Sequence, residues 1–146
     1  MQYALGVLGR RMHTRAELER KLLARAAPEE VRSVLARLEE WGYLDDRAFA
    51  EAFVRSRRGR WGELRIAAEL RRRGVDEGIV REALAAEGGE EDEPARALAL
   101  LEKAAWRHKG DRARMVRYLQ GRGFALEVAL DAARAYQKLH ETRETE

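Results

Sequence analysis

Apolar residues fall three and four positions apart through most of this chain, in segments otherwise filled by Ala, Glu and Arg. That spacing marks amphipathic helices, and those residue types favour the helical backbone. Leu18, Leu22 and Leu23 share one such segment, Ile79 and Leu84 a second, Met115 and Leu119 a third, while Phe49 and Phe53 stand at i and i+4 as core residues. No stretch alternates with period two around β-branched residues, so strands are not expected. Thr14 and Glu17 form a capping-box pattern, and Asp76 and Asp111 stand where helix N-caps belong. Pro94 follows acidic residues and suits a first helical turn. Gly74 and Gly123 come just after apolar-periodic segments, where a left-handed residue closes a helix.

Laid on itself, the chain repeats. Leu18, Leu22, Ala26, Val31 and Leu35 match Ile66, Leu70, Gly74, Ile79 and Ala83 at one fixed offset. A second shift matches those to Met115, Leu119, Gly123, Val128 and Ala132, with Arg10, Arg58 and Arg107 in register upstream. Each unit predicts a first helix ending in Arg, a break, a second helix, a tight turn and a third helix. The breaks are Gly59 to Gly62 and Gly110-Asp111, and the turn of the first unit, Arg25-Ala26-Ala27-Pro28, has no Gly. The expected fold is all-α: an elongated, curved tandem array of three three-helix, helix-turn-helix-like repeats. The repeats span 1–46, 47–88 and 89–140, followed by an acidic tail over 141–146. The acidic, Gly-containing stretch from Glu87 to Glu93 is the expected mobile joint.

At 146 residues, 45% of them hydrophobic, the chain is long enough to bury a core without metals or disulfides. It contains no Cys, which removes thiol chemistry and cysteine-bound zinc. No apolar run approaches a membrane span and no signal-peptide pattern opens the chain, so a soluble, cytoplasmic protein is expected. The net charge is only +3, but it is unevenly spread, and Arg far outnumbers Lys. From Arg55 to Arg73 there are eight Arg against two Glu, and from Arg107 to Arg122 five Arg and one Lys against one Asp. Such blocks attract polyanions or acidic protein surfaces. The candidate partner- or DNA-binding residues are therefore Arg55, Arg57, Arg58, Arg60, Arg65, Arg71, Arg72 and Arg73, with Arg107, Lys109, Arg112, Arg114, Arg117 and Arg122. Arg71, Arg72 and Arg73 also suit a helix C-terminus, so the helix dipole accounts for part of that cluster.

Catalytic and metal constellations are lacking in the pattern. Asp45-Asp46 is an eye-catching acidic pair, but no further oxygen ligands are spaced to complete a cation site. One Asp is expected to cap the following helix and the other to face solvent or pair with Arg. His13, His108 and His140 are isolated, neither Ser33 nor Ser56 lies in a nucleophile elbow, and Gly59-Arg60-Trp61-Gly62 lacks the ending of a phosphate-binding loop. No catalytic residue, metal or cofactor is assigned. Trp41 is expected to pack at a helix end, whereas Trp61, between Arg-rich helices, suits exposure and burial equally.

Three segments carry a resemblance over nearly the whole chain: Gly42-Tyr43-Leu44-Asp45-Asp46-Arg47-Ala48-Phe49-Ala50 with Phe53-Val54-Arg55-Ser56-Arg57, then Glu69-Leu70-Arg71-Arg72-Arg73-Gly74-Val75, then Tyr118-Leu119-Gln120-Gly121-Arg122-Gly123-Phe124. The sequence resembles the RecX family of bacterial recombination regulators. The resemblance implies a tandem three-helix fold and a non-catalytic protein that lies in the groove of the RecA recombinase filament. There it would inhibit strand exchange, ATP hydrolysis and co-protease function, with single- or double-stranded DNA a possible second partner and a monomer sufficient. A rival reading of the same residues is a sequence-tolerant DNA-binding protein acting without RecA, and a second is an adaptor whose Arg faces are merely solvated. Sequence-specific repression fits less well, because no turn is followed by a base-reading pattern of Asn, Gln or Arg.

Overall fold

Among residues 1–88 and 92–145, which the computed structural model describes, the backbone is helical apart from short turns and contains no strand. Residues 89–91, at the centre of the expected joint, and Glu146 of the expected tail lie outside the described residues, as do the side chains of Asp92 and of 142–145. The first unit holds α1 (Gln2–Leu8), α2 (Arg15–Leu23) and α3 (Pro28–Glu40); the second holds α4 (Asp46–Arg57), α5 (Glu63–Arg72) and α6 (Glu77–Glu87). The third holds α7 (Asp92–Lys103), the single turn α8 (Ala105–His108), α9 (Arg112–Gly121) and α10 (Leu126–Thr145). The cap chemistry acts as its residue types dictate. Thr14 makes a full capping box with Glu17, and the carboxylates of Asp45, Asp76 and Asp111 accept from the N–H groups of Ala48, Gly78 and Arg114.

Each unit buries its own apolar stripe. Leu18, Leu35 and Leu38 centre the first core, Ile66, Leu70 and Val80 the second, and Leu101, Met115, Leu119 and Phe124 the third. Phe49 and Phe53 are buried and stacked, with ring centroids 6.2 Å apart. Burial of each such side chain stabilises by roughly 1.5–3 kcal/mol, so α2, α5 and α9 owe their formation to these contacts more than to propensity.

Four expectations need correction. The repeat is not at a constant offset through the first unit. The first residues of α2 and α3, Arg15 and Pro28, are 13 positions apart, whereas 14 separate Glu63 from Glu77 and Arg112 from Leu126. The difference lies in α2, which has nine residues where α5 and α9 have ten, so the buried Val31 matches Val80 and Ala129, not the half-buried Ile79 and Val128. Trp41 does not pack: it is 54% exposed. At the end of α3 Gly42 turns left-handed (φ +80), the N–H groups of Tyr43 and Leu44 donate to the Leu38 carbonyl, and Leu44 is the side chain that folds back into the core. The first helix of the third unit breaks at Ala104 instead of running on to Arg107. Asp46, finally, neither faces solvent nor pairs with an Arg side chain; its Oδ1 accepts the backbone N–H of Arg15 at 2.8 Å.

That bond belongs to a junction that the chain builds twice. Where the second unit meets the first, Thr14 Oγ1 donates to the Arg73 carbonyl (2.7 Å), and Gly74, at φ +87, lies so close to Ala16 that a Cβ would stand 2.3 Å from the Ala16 Cβ. Where the third meets the second, the N–H groups of Gly62 and Leu64 donate to the carbonyls of Arg122 (2.8 Å) and Gly123 (3.1 Å). A Cβ on Gly123, at φ +95, would stand 2.2 Å from the Arg65 Cβ, and one on Gly62 would stand 2.4 Å from the Gly123 oxygen. In both junctions a carboxylate from the first turn of the next unit caps the helix from outside: Asp46 takes the Arg15 N–H, and Glu93 takes the Glu63 N–H at 3.2 Å. These donors have no partner inside their own helices, so the neighbouring unit completes them.

Two left-handed glycines separate conformation from contact. Gly123→Ala meets both backbone strain and the Arg65 clash and is expected to cost about 3 kcal/mol. Gly42→Ala, with nothing within 4 Å of its Cβ position, is expected to cost about 1 kcal/mol. Urea denaturation of the two variants checks the difference. For Asp46, burial pushes the carboxyl above its ordinary range, against the opposing bond from the Arg15 N–H. The folded chain therefore binds this proton more tightly than the unfolded chain, and its contribution to stability is lost as pH rises through the raised value. Asp46→Ala leaves the Arg15 N–H unpaired and is expected to cost about 1–2 kcal/mol. Asp46→Asn keeps an acceptor and is expected to cost less while removing that pH dependence, as urea midpoints from acid to neutral pH would show.

Candidate functional site

The arginines of the second unit are largely engaged within the chain. Around the end of α4, Arg55 pairs with Glu87 at 2.6 Å and Arg58 donates to the Glu87 carbonyl. Arg57 lies over Phe53 (4.8 Å) and Trp61 (5.2 Å). Trp61 is half-buried against Phe53, and the Arg65 guanidinium stacks on it at 4.0 Å, leaving Arg60 exposed at the turn. At the end of α5, Arg71 holds Glu77, Arg72 holds Glu69, and Arg73 reaches Glu69 at 3.2 Å and Glu17 at 3.7 Å. The bond from Arg72 keeps the Glu69 carboxyl below its ordinary range, and the bond from Arg71 does the same for Glu77. The densest cluster in the sequence is thus matched by carboxylates, and Arg73 ties the second unit to the first. Such exposed pairs add little stability, but they cancel the local field.

The third unit is arranged differently. Asp111 starts α9, and the helical period then sets Arg114, Arg117 and Gly121 on the face away from the buried Met115 and Leu119. Arg107 and His108 of α8 stand opposite. Together with Tyr118 and Arg122 they line a cleft of about 410 Å³. Tyr118 is flanked by two guanidinium groups, Arg107 at 5.8 Å and Arg122 at 5.3 Å. His108 forms a buried wall whose Nε2 lies 2.8 Å from the Leu101 carbonyl and whose Nδ1 accepts from the Gly110 N–H at 2.9 Å. No carboxylate lines the cleft, and none of its four arginines makes an ion pair among the described residues.

Of the residues singled out by charge, the structure brings together Arg107, Arg114, Arg117 and Arg122. Arg112 bonds instead to Gln137 at 3.0 Å, and Lys109 occupies a left-handed backbone position (φ 52) outside the cleft. Sequence reasoning missed Tyr118 and His108 as walls of the site. The available signal was an aromatic four residues before Arg122 on the Arg114 helix. Trp106, beside Arg107, is 76% exposed. The cleft reaches the junction below it, because Arg122 lines the one and gives its carbonyl to the other, next to Arg65. Guanidinium forks beside aromatic faces suit phosphates and carboxylates alike.

Comparison with known proteins gives a consistent answer. The family descriptions "RecX, first three-helix domain" and "RecX, second three-helix domain" match residues 1–38 and 45–84. The regulatory protein RecX of a Thermus thermophilus strain is 47% identical over 138 residues, covering 94% of this chain and 92% of that protein. The regulatory protein RecX of Halorhodospira halophila is 44% identical over 139 residues, covering 90% and 84%. The crystal structure of RecX from Lactobacillus salivarius shares the fold, with a TM-score of 0.84 at 23% identity over 94% of both chains. With its three helical units, its repeated junctions and these relatives, the chain belongs to the RecX family of regulatory proteins.

Proposed function

We propose that this protein is a non-catalytic regulator that binds the RecA recombinase filament on DNA and inhibits its recombinase, ATPase and co-protease activities, modulating DNA repair and recombination in the cytoplasm. The observation that carries the reading, beside the family, is the division of its arginines: those of the second unit are mostly matched internally, while Arg107, Arg114, Arg117 and Arg122 are left for an anionic partner. The docked units supply the second element. The third unit is held to the second through backbone hydrogen bonds, so the basic cleft is presented on a fixed support. Occupying a filament groove requires shape and charge and no chemical step. No helix among the described residues is long and apolar enough to cross a membrane.

Titrating this protein into RecA recombinase turning over ATP on single-stranded DNA, at near-physiological salt, tests the proposal. Inhibition is expected at protein concentrations well below those that coat the bare DNA. An unchanged rate and filament length at saturation would sink it. The half-buried rings of Trp61 and Tyr118, each with an arginine over it, also fit a second reading, direct sequence-tolerant DNA binding without the recombinase. Inhibition that tracks coating of the DNA would favour that reading.

The two classes of arginine make separate forecasts. Arg107→Glu with Arg117→Glu is expected to weaken binding to heparin and lower the slope of affinity against salt by about one for each anionic group no longer neutralised. Arg71→Glu with Arg72→Glu is expected to change both less, because those cations are already matched. Salt-gradient elution of the folded variants compares them directly.

A further inference from the structure

Beyond the filament reading, and at the same arginines that support it, we propose that the cleft between α8 and α9 is a binding site for a compact polyphosphate, with the triphosphate chain of a free nucleotide as the ligand class. The first support is convergence. Four arginines, Arg107, Arg114, Arg117 and Arg122, line one open cleft of about 410 Å³ with no carboxylate among its lining residues. Elsewhere several arginines are matched by carboxylates, as in Arg47 with Glu82, Arg55 with Glu87 and Arg71 with Glu77. Four like charges facing one space repel one another until an anion enters. The volume lies within the range of small-molecule sites. A triphosphate concentrates a comparable negative charge in a short span, whereas a nucleic-acid strand offers its phosphates singly along a line.

Gly121 provides the second support. It lies in the last turn of α9, where glycine weakens the helix relative to alanine. A Cβ there would meet nothing of the protein within 4 Å, so neither packing nor a positive φ calls for it. The residue nevertheless lines the cleft. Its missing side chain leaves that wall of the cleft clear for a ligand, a use glycine has where main chain and ligand approach closely. Tyr118 adds an aromatic face within reach of two of the guanidinium groups, Arg107 at 5.8 Å and Arg122 at 5.3 Å. Guanidinium forks bind phosphate oxygens in pairs, so four arginines lining one cleft suit several linked phosphate groups at once.

Calorimetric titration of the whole protein, without recombinase, with sodium tripolyphosphate and with ATP tests the site at near-physiological salt. Saturable binding of both is expected. Arg114→Glu with Arg117→Glu should weaken it about tenfold or more. Arg134→Glu removes an exposed arginine of α10 outside the cleft and should leave it nearly unchanged. Gly121→Ala is expected to raise the thermal midpoint while weakening the triphosphate several-fold, a pairing that a merely structural glycine would not show. The proposal is overturned if tripolyphosphate does not saturate the protein, if Arg134→Glu costs as much as the cleft variants, or if Gly121→Ala leaves affinity intact. A single-stranded oligonucleotide that binds the cleft and is not displaced by tripolyphosphate would also overturn it, assigning the arginines to a strand. Because no recombinase is present, a negative result leaves the ATPase test untouched, and the reverse also holds.

Discussion

Backbone of one unit touches backbone of the next, and the arrangement of the units depends on that contact. Gly123 occupies a left-handed position that closes α9, and the same residue lies against Arg65 with no room for a side chain. Its carbonyl and that of Arg122 take the first N–H groups of α5, which lacks a side-chain cap of its own. One short turn therefore ends a helix in its own unit and begins one in the unit before. Gly74 repeats the device against Ala16, with the Thr14 hydroxyl reaching the Arg73 carbonyl where Gly62 uses its N–H. Leaving such buried donors unpaired costs about 1–3 kcal/mol each, so the units are not free to turn as beads on a string.

That coupling decides what the charge does. Docking the second unit on the first carries Arg73 to Glu17, and the pairing of α4 with α6 carries Arg55 to Glu87. The positive block that dominates the sequence is taken up largely by such pairs and by the rings of Phe53 and Trp61. Past the second junction, α8 and α9 face one another without a carboxylate between them, and the basic cleft opens there. Four arginines without an ion pair among the described residues thus come together in the third unit, on a support fixed by backbone hydrogen bonds.

Helix starts, the apolar stripes and the left-handed turns were legible in the sequence because each depends on residues within about one turn of each other. Thr14 with Glu17, Asp76, Asp111, Gly74 and Gly123 act where their chemistry places them. The offset through the first unit misled by one residue, since a fixed offset does not register that α2 is one residue shorter than α5 and α9. Asp46 misled for a different reason. With Asp45 as the cap of α4, nothing local reveals that the backbone N–H of Arg15, 31 positions earlier, is the donor Asp46 accepts from.

By itself, then, the sequence determined an all-helical chain of repeated three-helix units, its cap residues, and the two blocks in which arginine gathers. Only the tertiary structure decided which of those arginines remain unmatched. Arg72 and Glu69 are neighbours on one helix and their pairing was readable, but Arg73 with Glu17 and Arg55 with Glu87 are brought together by packing. Charge counted along a chain is blind to such pairs, because Coulomb attraction depends on distance in space and the fold alone sets that distance.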